Sequence, residues 1–294
     1  MKNTINYYYN LVASDIHQSY DKYRFTASDK QYLFMPYYGD INKVLMIYSY
    51  LIKLNIYCHE IVYNKDNEVY TFVFDKPYVL IKIHYNFLID IDISLINEYN
   101  IFINTDIKCN WYKLWCDKID YYEYQINQYG KKYPLIRESF SYYDGLCETA
   151  ISLLNIIDIK KVKMYLNHYR IDKNTDFISF YNPLNMIVDV KIRDICEYFK
   201  EQFFEGIDVI NHINSYLSMT NLTYEETILF LARMIYPSYY FDLYDKVIQG
   251  KCDDVKLSYY IDKVDDYEVF LNKLYLILSK YYKLPEIEWI IKKT

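Results

Sequence analysis

Short runs of apolar residues separated by polar clusters fill the first third of the chain, and apolar stripes at helical spacing fill most of the rest. Residues 23–26 and 32–35 are β-prone runs around Ser28, Asp29 and Lys30, which predicts a hairpin. Residues 36–39 break the pattern. From 42 to 54, Val44, Leu45, Tyr48, Leu51 and Ile52 recur at helical intervals. Residues 60–63 and 69–74 then bracket the turn-prone Asn64, Lys65, Asp66 and Asn67, which predicts a second hairpin. Pro77 precedes a further β run over 78–83. The pattern therefore predicts a small sheet with one helix laid against it.

The remaining two-thirds reads mainly as helix. Residues 106–128 carry Trp111 and Trp115 four positions apart on one face, a spacing that suits core packing. Residues 142–154 align Leu146, Ala150, Ile151 and Leu154. Between 166 and 189 the periodicity fails, leaving two short apolar runs at 177–180 and 186–188. Helical spacing resumes over 194–204. Thr223 and Glu226 form a capping box that opens a helix with Ile228, Leu231, Ala232 and Ile235 on its buried side. Pro237 interrupts that helix, and a last one starts near Asp265 and buries Phe270, Leu271, Leu274 and Leu278. The layout is α+β, with a sheet-bearing first part and a helical second part.

Composition narrows the function classes. Only 5 Gly and 6 Pro in 294 residues argue for long helices and against a glycine-rich phosphate loop. The net charge is -6, and the basic residues are scattered, which points away from nucleic acid. No window is apolar for the length of a bilayer, and the first residues lack an apolar leader core, so neither membrane insertion nor secretion is expected. The six cysteines contain no CxxC pair and sit largely in apolar patterns, as in a reducing, cytoplasmic setting. The 40 tyrosines are read first as the mark of an A- and T-rich genome, and second as a surface built for stacking, adhesion or oxidative cross-linking. Composition does not choose between these.

Local constellations are sparse. Cys58, His59 and Glu60 are adjacent, but neighbours in sequence seldom converge on one metal. His17, His84 and His212 are isolated. No nucleophile elbow, dinucleotide fingerprint or Walker loop occurs.

Three segments carry a signature: residues 138–151 (ESFSYYDGLCETAI), residues 189–200 (DVKIRDICEYFK), and the tail with 231–241 (LARMIYPSYYF) and 284–289 (LPEIEW). In order and spacing they resemble the YutH-type spore coat-associated proteins of endospore-forming Firmicutes. These are kinase-like relatives of the CotS coat proteins and of aminoglycoside and choline phosphotransferases. The resemblance implies a two-lobed protein-kinase-like fold, with a β-rich N-lobe over 1–84 and a helical C-lobe over 85–294. It also implies a role in sporulation, with location in the cytoplasm or the spore coat and protein partners such as coat proteins.

Phosphoryl transfer in that fold needs a strand Lys, a catalytic Asp, an Asn and a metal-binding Asp. The catalytic loop of active relatives reads H-x-D-x-x-x-x-N. Here His168 fits, Arg170 stands in place of the Asp and Thr175 in place of the Asn. An Arg stays protonated and cannot take the substrate's proton. Asp172 and Asp189 are the weaker catalytic candidates. Asp189 follows an apolar run, as a metal-binding Asp should, but it lies only five positions before Asp194; alignment on Asn185 relieves that crowding and loses the carboxylate. Asp189, Arg193 and Asp194 are therefore read as structural, with Asp194 as helix start and Glu197 completing an acidic capping pattern. Lys82 lies on the strand entering the hinge, too late for the phosphate Lys, and is read as an outward-facing strand residue. The expectation is a pseudokinase acting by binding, with no cofactor and no metal. The alternative is an active small-molecule phosphotransferase that uses displaced carboxylates with ATP and Mg.

Overall fold

The computed structural model describes residues 1–85, 87–172 and 174–292. The chain divides into two compact units. One comprises Met1–Asp92 and Leu166–Val188, the other Ile93–Tyr165 and Asp189–Thr294.

The first unit opens with α1 (Lys2–Tyr9), β1 (Ser14–Ser19), β2 (Lys22–Ala27), β3 (Lys30–Pro36), α2 (Ile41–Lys53), β4 (Glu60–Val62), β5 (Tyr70–Val73) and β6 (Lys76–Ile83). The strands form an antiparallel sheet in the order β1-β2-β3-β6-β4, with β5 also paired to β6. Alternation along the strands sorts the side chains onto two faces. Phe25, Tyr32, Phe34, Tyr78 and Leu80 pack with Ile5 of α1 on one face. Met35, Ile61, Val79 and Ile81 pack with Val44 of α2 and with Leu184 on the other.

The predicted first hairpin is β2–β3, closed by Ser28 and Asp29 with φ of 49° and 59°, the backbone of a type I′ turn. The predicted second hairpin is not formed. β4 and β5 do not pair with each other; they lie in succession along β6, which is long enough to hold both. The Asn64 cluster makes a connecting loop instead. Its buried Oδ1 accepts from Asp66 N (2.9 Å) and Glu68 N (3.0 Å), while Nδ2 donates to Tyr70 O (3.0 Å). The second hairpin is β5–β6, through Phe74 and Asp75. Elements α1 and β1 were not foreseen, because α1 buries only Ile5 and β1 buries no residue.

The chain continues through α3 (Ile93–Tyr99), α4 (Trp111–Tyr129), α5 (Pro134–Leu154), β7 (Met164–His168), α6 (Phe177–Phe180), β8 (Met186–Val190), α7 (Arg193–Phe204), α8 (Ile210–Met219), α9 (Tyr224–Ile235), α10 (Ser238–Ile248), α11 (Ser258–Ile261), α12 (Val264–Leu278) and α13 (Glu288–Ile291). Strands β7 and β8 pair as a sheet of their own. The two apolar runs of the irregular stretch are thus α6 and β8.

Helix α9 is the hub of the second unit. Every residue from Glu226 to Ile235 is buried, and the helix packs on α5, α7 and α12. Its capping box forms as the sequence predicts, with Thr223 Oγ1 accepting from Glu226 N at 3.2 Å and Glu226 Oε2 accepting from Thr223 N at 2.9 Å. Trp111 and Trp115 are both buried in this unit, stacked at 5.1 Å between ring centres, and Trp115 stacks in turn on Tyr236 at 4.2 Å. All six cysteines are free thiols.

Candidate functional site

The segment 168–175, compared with a catalytic loop in the sequence, follows from β7 and belongs to the first unit. His168 is buried at the end of the strand and donates Nε2–H to Phe180 O at 2.9 Å, its ring 4.3 Å from that of Phe180. The imidazole therefore anchors α6. The residue before β8 holds the loop from the other side, with Tyr169 N donating to Asn185 O. The Arg170 guanidinium lies 5.7 Å from the exposed Tyr169 ring.

Asp172 and Thr175 close a turn on each other. Asp172 Oδ1 accepts from Asn174 N (2.8 Å), and Thr175 Oγ1 accepts from Asp172 N (2.9 Å). Thr175 N also donates to Asp172 O. The Asp172 carboxylate is thus engaged in loop geometry.

Other parts expected for nucleotide binding can be sought in the sheet. The β1–β2 turn is Tyr20-Asp21 and contains no glycine. Without glycines the backbone cannot fold closely over phosphates. The only Lys of β3 is Lys30 at its first residue, and α2 contains no acidic residue to pair with a strand Lys. Lys82, read from the sequence as an outward-facing strand residue, has a side chain only 19% exposed. It pairs with Glu60 of the neighbouring β4 at 2.5 Å, and His84 Nε2 approaches the same carboxylate at 3.3 Å.

Asp189, Arg193 and Asp194 belong to the second unit. Asp189 Oδ2 accepts from Arg193 (2.7 Å) and from Trp111 Nε1 (3.1 Å), and Oδ1 accepts from Val190 N (2.7 Å). N–H donors thus take three of the roughly four acceptor sites of this carboxylate. Among the described residues no three His, Cys, Asp or Glu side chains converge as a metal site.

Helix α7 starts one residue earlier than expected. Its N-cap is Ile192, which makes no side-chain cap, and Asp194 is buried within the first turn. There its charge faces the positive end of the helix. Glu197 does not complete a capping pair. It reaches inward, where Oε1 lies 2.7 Å from both Arg233 Nε and Lys200 Nζ, and Oε2 accepts from Ser238 Oγ at 2.8 Å.

This ionic cluster was not read from the sequence. Lys200 is fully buried and also donates to Arg233 O and Tyr236 O. Burial pushes its pKa down to about 8, against the opposing pull of Glu197. Arg233 loses solvation, yet Glu197 and Asp189 hold its guanidinium more firmly protonated than usual. That guanidinium sits 5.1 Å from the Trp111 ring, so Asp189, Trp111, Arg233, Glu197 and Lys200 form one connected set across α4, α7 and α9. The available signal was Glu197 and Lys200 three apart on an otherwise apolar helix face, with Arg233 inside an apolar run.

Residues 98–274 match the model of the family described as "Spore coat putative kinase YutH". The chain belongs to this YutH family. The match takes in β7, β8 and helices α4 to α11, and hence the segment 168–175 and the ionic cluster. No curated protein sequence matches this YutH-family chain. Among solved structures it is similar to an aminoglycoside phosphotransferase from Alicyclobacillus acidocaldarius, with a TM-score of 0.65 at 11% identity over 91% of this chain and 93% of that one. It is also similar to a spectinomycin phosphotransferase in complex with ADP and spectinomycin, with a TM-score of 0.61 at 10% identity over 94% and 97% of the two chains. The YutH-family fold is therefore of the aminoglycoside phosphotransferase type, with a small antiparallel sheet and a larger helical part. No helix among the described residues is long and apolar enough to cross a membrane.

Proposed function

We propose that this YutH-family protein does not transfer phosphate and acts by binding, as a component of the spore coat or of its assembly. The observation that carries this reading is Arg170. The family resemblance puts it where active relatives carry the general base, and a guanidinium is protonated at every physiological pH. Asp172, two residues on, accepts from a backbone N–H inside its own turn. The glycine-free Tyr20-Asp21 turn and the acid-free α2 agree with this reading. On this view the fold is a scaffold whose partners are proteins of the coat.

The test is unfolding in the presence of ATP and magnesium. A ligand that binds only the native state, at about a hundred times its dissociation constant, adds about 2.7 kcal/mol. The expected result is no shift and no ATP hydrolysis. A clear shift that Asp189→Ala removes would establish the alternative, a small-molecule phosphotransferase using displaced carboxylates.

A further inference from the structure

Two hairpin tips of the first unit break a local rule in the same way. Tyr20 begins the β1–β2 turn at φ 52°, and Phe74 begins the β5–β6 turn at φ 49°. The left-handed region disfavours a bulky side chain, and these turn positions are normally glycine or asparagine. Neither ring recovers the cost by packing, because both residues are 94% exposed.

Scarcity of glycine does not account for the choice. The same chain places asparagine in left-handed backbone at Asn10, Asn55 and Asn67. A less strained residue was therefore available to a chain of this composition, yet aromatic rings stand at 20 and 74. Local rules broken without a gain in stability mark functional positions.

The tips lie at one end of the sheet. Lys76, just after the β5–β6 turn, bonds Asp21 of the β1–β2 turn at 2.9 Å. Tyr38, 69% exposed, lies close enough to Lys76 to act on its charge, and its neighbour Tyr37 donates its backbone N–H to Pro77 O. The exposed rings of Tyr20, Tyr38 and Phe74 thus share one edge.

Charge and area choose the occupant. Asp21, Asp40 and Asp75 are balanced by Lys22, Lys43 and Lys76, with Asp21–Lys76 and Asp40–Lys43 directly paired. Such a patch selects neither a polyanion nor a polycation. At about 200 Å² per aromatic side chain, and with Tyr20, Tyr38 and Phe74 exposed to 94%, 69% and 94%, the three offer roughly 500 Å². A stable protein interface takes about 800 Å² from each partner. What fits is a neutral, repetitive ligand bound weakly at each contact and strengthened by repetition.

We propose that the Tyr20, Tyr38 and Phe74 edge is a binding surface for a neutral polysaccharide. The C–H faces of the sugar rings lie on the aromatic faces, and the phenol and carboxylate oxygens accept from the sugar hydroxyls. The surface uses none of the residues of the degenerate catalytic loop and holds whether or not phosphate is transferred.

The test uses the full chain with suspended chitin and cellulose, beside beads coated with polylysine or heparin. Protein depleted from the supernatant is measured for wild type and for the double variant Tyr20→Asn with Phe74→Asn. Asparagine keeps the turn geometry, so the urea midpoint of the variant is expected to hold or rise. Wild type should bind at least one of the two neutral polymers, and the double variant should lose about tenfold in apparent affinity. The proposal is overturned if neither polymer depletes wild type, or if both proteins bind equally. It is also overturned if the charged beads show the dependence on positions 20 and 74, or if the variant's midpoint falls.

Discussion

The Lys200 ammonium lies 2.7 Å from Glu197 Oε1, with only 2% of the Lys200 side chain exposed. Its two remaining N–H groups are shared among Arg233 O, Tyr236 O and Ser238 Oγ, which joins the C-terminal end of α9 to α7 and α10. Burying such a pair costs solvation, but breaking it leaves a bare charge inside the unit. Glu197→Ala strands both Lys200 and Arg233. It should cost about 3–5 kcal/mol, read as a lower urea midpoint. An unchanged midpoint would mean that water reaches the cluster.

Alkaline pH should unfold the protein in an ordered way. Burial raises the thiols of Cys58 and Cys109 to about 12 and those of Cys147 and Cys196 well above their ordinary value. It also raises Tyr240 to about 12 and Tyr239 and Tyr267 well above their ordinary value. Each of these groups gives up its proton more readily when unfolded. Their contribution is complete below the unfolded value and is lost above it, from about pH 9 for the thiols and about pH 10 for the phenols. Lys200 works the other way, because its folded value near 8 lies below its unfolded one. The cost of burying it charged is relieved between about pH 8 and 10.5. The thiols and phenols outnumber it, so urea midpoints should fall from about pH 9 and more steeply above 10. Each buried tyrosine contributes about 1.4 kcal/mol per pH unit there. Cys147→Ala with Cys196→Ala should flatten the first part of the curve only.

Acid acts through His59. Burial is the main cause that lowers its imidazole to about 4, helped by His84. The unfolded chain takes up this proton first, so stability should fall as pH drops from about 6.5 towards 4. His59→Gln should remove that part of the acid dependence, and a variant with the wild-type acid curve would refute the assignment.

Much of the second unit was legible because its signals are local. The Thr223–Glu226 box, the α12 stripe and the tryptophan pair all depend on residues within one or two turns. The ionic cluster was not legible, since Glu197, Arg233 and Ser238 meet only through tertiary packing. The same limit misassigned the second hairpin. The turn chemistry of Asn64 is genuine, but which strands β4 and β5 pair with is decided by the length of β6. Arg170 two positions after His168 is written in the sequence, while the closed turn of Asp172 and Thr175 required coordinates.

The α7 start gives another measurement. Asp194 acts on the helix dipole from the first turn rather than as a cap, so Asp194→Ala should lower stability by about 0.3–2 kcal/mol. Urea denaturation beside wild type reads this directly. An unchanged or higher midpoint would point instead to a carboxylate kept for a ligand.

The composition of the first unit also sets a schedule for synthesis. Its sheet is complete by Ile83, but Leu184 belongs to one face of the sheet, Asn182 Nδ2 approaches Met35 Sδ, and His59 N donates to Tyr181 O. These partners leave the ribosome about a hundred residues after the strands they cover, at 5–20 residues per second. For several seconds the α2 side of the nascent sheet lacks that cover. A shortened gene ending at residue 92 would encode that uncovered sheet permanently.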